Sequence, residues 1–136
     1  MDDDTILFVR ARARGRCEYC RLPERYYTDR FQIEHIVARS HGGSDEAGNL
    51  ALCCRHCNLH KGPNLSGIDP LSSELTRLFN PRTDAWEDHF TVERGVVRGL
   101  TAIGRTTACV LNVNTDRRIE LRLALSELQG EQWWQR

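Results

Sequence analysis

The feature that most constrains this chain is a pair of Cys-x-x-Cys steps, Cys17-Glu18-Tyr19-Cys20 and Cys54-Arg55-His56-Cys57. Each step offers two thiolates on one short turn. Two of them together can close a tetrahedral, four-sulfur zinc site with no open position, which makes it structural. The acidic N-terminus (Asp2-Asp3-Asp4) is the reverse of a secretory leader, and no apolar run is long enough to span a bilayer. The expectation is a cytoplasmic protein with no membrane partner, where paired cysteines mean metal or catalysis and disulfides are disfavoured. Cys53 falls in an apolar slot in phase with Ala51 and is assigned to packing, as is Cys109. His56, between two ligands, reads as a solvent-facing residue of the turn.

Local patterns place these residues. Thr5 to Arg14 has helical spacing of Ile6, Val9, Arg10 and Ala13, with Asp4 as N-cap and Gly15 as terminator. Phe31 to Ile36 alternates as a strand. Ser40 to Asp45 is a turn-rich loop, and Asn49 to Cys53 reads as a second strand. Arg55 to Lys61 is a short helix closed by Gly62-Pro63. Beyond it, Leu71, Leu75 and Leu78 suit a helix. His89–Val92 and Val96–Leu100 suit a hairpin turning at Arg94-Gly95, and Thr106–Asn112 and Arg117–Leu128 suit helices. In the last of these, Leu121, Leu125 and Leu128 form the apolar stripe. The fold class expected is α+β, with a core at residues 1–65 and a small mixed α/β accessory region at 66–136 packed on it.

Net charge is zero, which argues against a protein that coats DNA by charge alone. Of the 19 basic residues 18 are Arg, and seven of these lie between Arg10 and Arg30. Guanidinium groups grip phosphate in a fork, so the cluster suits a nucleic-acid backbone; a solvated polar face is the competing reading.

The run Glu34-His35-Ile36-Val37, His41-Gly42-Gly43-Ser44, Asn49-Leu50-Ala51-Leu52 and Cys54-Arg55-His56-Cys57-Asn58-Leu59-His60-Lys61-Gly62 resembles the HNH endonuclease motif, in the zinc-ribboned branch of that family. The resemblance covers about Arg16 to Gly62. It implies a ββα-metal core that hydrolyses phosphodiester bonds in DNA, with His35 as the general base that activates water. It makes Glu34 and Asn58 ligands of a catalytic divalent ion (Mg²⁺, or another such as Mn²⁺ or Ni²⁺), with His60 as the alternative to Asn58. Asn49 becomes the residue that orients the base by bridging the loop, and a zinc-dependent module that binds without cleaving is the rival reading. Lys61, on the Asn58 face, and Arg39 are the candidate phosphate contacts. His41 and His89 have no place in the motif. Trp86, Trp133 and Trp134 are expected in the core rather than stacked on bases, and the C-terminal region is a possible protein-docking surface.

Overall fold

The computed structural model describes residues 1–135. Helix α1 (Asp3–Ala13) leads into the first cysteine turn, followed by strand β1 (Gln32–His35), strand β2 (Leu50–Cys53) and helix α2 (Arg55–Lys61). β1 and β2 pair antiparallel, with Gln32 opposite Cys53 and His35 opposite Leu50. This is the expected strand, loop, strand, helix order. The α1 cap is Asp2 rather than Asp4, because the Asp2 carboxylate accepts a hydrogen bond from the Thr5 amide at 2.7 Å and starts the helix two residues earlier. The helix buries Val9 and Ala13 against β2 and leaves Leu7 and Phe8 exposed.

The remainder is mixed α/β. Strands β3 (Ser66–Ile68) and β4 (Leu75–Arg77) form a hairpin, helix α3 (Trp86–His89) runs into strand β5 (Phe90–Glu93), and β5 pairs with β6 (Val96–Gly99). Helices α4 (Ala102–Val110) and α5 (Asp116–Gln129) complete the chain. The leucine-spaced segment is therefore not a helix. Asp69 captures the backbone instead: its carboxylate accepts from the Leu71 amide and the Ser72 hydroxyl, and Arg105 clamps it from α4. Short polar side chains that bond their own backbone favour turns over helix. Gly67 lets this hairpin lie on α4, since a Cβ there would meet Val110 at 2.5 Å.

Two burial expectations also change. α4 starts at Ala102, which turns Thr106 and Thr107 inward and Cys109 out to solvent. The Thr107 hydroxyl donates to the Ile103 carbonyl and accepts from the Phe79 amide, so its burial leaves no unmet bond. In α5 the buried positions are Arg118, Arg122 and Leu125, while Leu128 is exposed. Arg122 is wholly buried, and its two terminal nitrogens donate to the Gly95 and Val113 carbonyls and the Asn114 amide oxygen. Trp86, Trp133 and Trp134 are all buried, with Trp86 lying between Phe90 and Trp134. No helix among the described residues is long and apolar enough to cross a membrane.

Candidate metal centre and catalytic groove

Cys17, Cys20, Cys54 and Cys57 converge, all buried, with their sulfurs within 4.8 Å of one another. The Cys20 and Cys54 sulfurs are 3.8 Å apart. Four ligands at a zinc–sulfur distance of about 2.3 Å have tetrahedral edges of about 3.8 Å, so the cluster fits the ion. Within each turn the second cysteine's amide points at the first sulfur, Cys20 to Cys17 at 3.5 Å and Cys57 to Cys54 at 3.4 Å. Burial, ahead of the neighbouring thiols, pushes the Cys17 thiol well up. A divalent cation bound there would supply the charge that lets four buried thiolates coexist. Cys53 is buried beside the cluster and is not one of its four sulfurs.

Helix α5 brings a cation to the cluster. Arg118 of α5 donates to the sulfurs of Cys20 and Cys54, at 3.1 and 3.4 Å. Burial alone would lower this guanidinium's pKa, but Cys20, Cys54 and Cys57 drive it upward. The first cysteine turn is also gripped by the Trp86 indole donating to the Tyr19 carbonyl, by Arg21 donating to the Trp134 carbonyl, and by the Arg82–Glu18 ion pair. With zinc on four thiolates the centre would be doubly negative, and replacing Arg118 by Met would remove one positive charge beside it. It should weaken zinc binding by about 10–100-fold, the usual scale for groups just outside a metal's ligands. A competitive chelator titration reads this directly, and unchanged zinc affinity would contradict the electrostatic role.

The second site is an open groove lined by Ile33, Glu34, His35, Ala38, Arg39, Asn58, Leu59, Gly62 and Pro63. β1 supplies Glu34 and His35, and α2 supplies Asn58. Asn49 ties the loop between the strands. Its amide oxygen accepts from the Val37 amide at 2.9 Å, while its nitrogen donates to the Val37 and Ser44 carbonyls. Gly43 is required here, because a Cβ at that position would lie 1.7 Å from the Val37 oxygen. His60 faces elsewhere: its ring lies 4.3 Å from that of His56, whose Nε2 contacts the Asn112 carbonyl.

Glu34 is buried. One carboxylate oxygen takes the Tyr19 hydroxyl, and the other meets Lys61 Nζ at 3.2 Å. Burial raises the Glu34 pKa, with Lys61 opposing it. Lys61 is thereby corrected as a phosphate contact. It is only 2% exposed and spends its ammonium on Glu34 and on the His35 and Ile36 carbonyls. Its aliphatic stem reaches inward from the last turn of α2, where a surface lysine was expected. Lys61→Met should destabilise the fold by about 3–5 kcal/mol near neutral pH, because it strands a buried carboxylate. Since Glu34's folded pKa is raised above its unfolded value, the cost grows as pH rises through that folded pKa and shrinks in acid, where Glu34 is protonated. Urea melts at two pH values check both the size and the sign.

Arg39, the other phosphate candidate, lies on the groove with an exposed side chain and forks onto Asp45. Much of the Arg10–Arg30 cluster is structural. Arg10 pairs with Glu24, Arg12 donates to the Ala47 and Leu50 carbonyls, and Arg16 and Arg21 bind carbonyls near the C-terminus.

Residues 17–64 match the family model described as HNH endonuclease. This segment is an HNH endonuclease domain. Neither a curated protein nor a solved structure matches the chain. The matched segment holds both cysteine pairs, β1, β2, α2 and the groove of the HNH domain; helix α1 and everything from Leu65 onward lie outside it. Sequence reasoning missed three residues that bear on the site: Tyr19, Asp45 and Arg118. Asp45 left a faint signal, as the first of two acids (Asp45-Glu46) that follow the paired glycines of the motif loop. The other two left none.

Proposed function

We propose that the chain is a metal-dependent endonuclease that hydrolyses phosphodiester bonds in DNA, with His35 as general base. The observation that carries this is the His35 ring itself. It stands at an open groove with one nitrogen engaged by Asp45 and no protein partner among the described residues on the other. A neutral imidazole so placed takes a proton from water attacking a phosphate laid in the groove. Arg39, at the rim, supplies a guanidinium for that phosphate, and Asn49 holds the loop that follows the base.

The groove's donor set, a carboxylate and an amide oxygen, is of the hard-oxygen kind that a divalent ion takes. The Asn58 nitrogen donates to the Gln32 amide oxygen, and the Asn58 oxygen has no protein donor on it among the described residues. Asn58 and Glu34 would hold the ion, Glu34 by giving up one of its two present partners. When bound, the ion neutralises charge on the phosphate and stabilises the leaving oxygen. Zinc at the four cysteines keeps β2 and α2 in register, and residues 66–136 act as an accessory region that brackets the zinc site.

Incubating supercoiled plasmid with Mg²⁺, Mn²⁺ or Ni²⁺, beside a His35→Ala control, tests the proposal. Nicking or linearisation by the wild type alone is the expected result. Metal-independent retardation of DNA without cleavage would favour the non-cleaving binding module.

A further inference from the structure

We infer that Asp45 is a positioning residue for the base: it fixes His35 in the tautomer protonated on Nε2, so that Nδ1 is the atom that accepts the proton from water. The inference rests on the nuclease reading of the groove and extends it to a residue that the motif resemblance leaves unassigned.

The geometry is explicit. An Asp45 carboxylate oxygen lies 2.7 Å from His35 Nε2. The same carboxylate is forked by Arg39, whose Nε and Nη2 lie 3.0 and 2.8 Å from one oxygen and whose Nη2 lies 2.9 Å from the other. These contacts, with the His35 bond foremost, hold the Asp45 carboxyl down to about 2. An ionised carboxylate has no proton to give, so the hydrogen of this bond belongs to Nε2. Neutral imidazole carries one ring proton, and Nδ1 is left as the acceptor. Nδ1 has no partner among the described residues.

The loop is built to keep this pair together. Asn49 bonds Val37, two residues after His35, and Ser44, one residue before Asp45. One amide side chain therefore fixes both ends of the segment that brings the carboxylate to the ring. Arg39 has a second consequence. By competing for the carboxylate it keeps Asp45 too weak a base to take the proton from Nε2, so Asp45 orients the ring and stabilises its cation without itself being protonated. A proton taken at Nδ1 gives an imidazolium whose Nε2–H remains on Asp45.

Two measurements test the assignment. Nitrogen-15 chemical shifts of the His35 ring, read in the wild-type protein at a pH where the ring is neutral, should show Nε2 protonated and Nδ1 bare. In Asp45→Ala the ring should populate both tautomers. Its kcat should fall by at least about tenfold and up to about 10³-fold, with KM for DNA within about threefold. Asp45→Asn, which keeps an acceptor but loses the charge, should lie between the two. A wild-type ring protonated on Nδ1 would overturn the inference whatever the variants do. So would an Asp45→Ala enzyme that folds and cuts within about threefold of wild type. A wild-type protein that shows the expected tautomer but cleaves no nucleic acid with any divalent ion would overturn the nuclease reading instead, and leave Asp45 as the group that sets the ring's proton.

Discussion

His35→Ala is expected to leave fold, zinc content and DNA affinity near wild type while lowering cleavage by about 10²–10⁴-fold, the span associated with losing a general base. The structure explains why the effect should be confined to chemistry. The His35 side chain is partly exposed, and its one side-chain hydrogen bond among the described residues is to Asp45, which keeps Arg39 when the ring is removed. Truncation therefore leaves no buried polar group stranded, and thermal melts should hardly move. Plasmid nicking rates with wild type, His35→Ala and His60→Ala decide the matter. Equal rates for wild type and His35→Ala would sink the assignment. Loss in His60→Ala alone would move the role to His60, against the packing of that ring on His56.

Replacing a cysteine of the four-sulfur cluster should have an effect of another kind. Cys54→Ser or Cys57→Ser is expected to unfold the HNH domain. Structural zinc binding contributes on the order of 10–16 kcal/mol, a magnitude comparable to the whole net stability of an ordinary domain, about 5–15 kcal/mol. The local reason is specific. α2 is seven residues long, too short to be helical on its own, and Cys54 is also its N-cap, accepting from the Cys57 amide. Losing the cluster frees the helix that carries Asn58 and Lys61 and detaches Arg118 from its counter-charge. Circular dichroism with elemental analysis checks this, and a folded, zinc-free protein with an unchanged melting temperature would refute it. Chelator titration of the wild type adds a second reading. Cleavage should stop at lower chelator than unfolding, because the groove offers an ion few protein ligands while the cluster offers four sulfurs. Simultaneous loss of fold and activity at every dose would argue against two separate ions.

The sequence by itself determined whatever is written in short-range spacing. The cysteine steps are three residues from thiol to thiol, β1 and β2 show in their alternation, α2 is bounded by Cys54 and Gly62, and the β5–β6 hairpin is announced by Arg94-Gly95. Each of these is a local rule that a few neighbouring residues satisfy. Even there the rule failed where side chains competed for the backbone, as Asp69 does when it converts a leucine-spaced segment into the β3–β4 hairpin. What only the tertiary structure decided is how buried and clustered charges are matched. Arg118 reaches Cys20 and Cys54 of the cluster across 98 and 64 positions of sequence, Lys61 turns inward to meet Glu34, and several arginines of the N-terminal cluster hold carbonyls. The physical reason is common to all three. A charged side chain goes inside only when a partner of opposite charge or an unmet carbonyl waits there, and the identity of that partner is a property of the folded chain that no local pattern encodes.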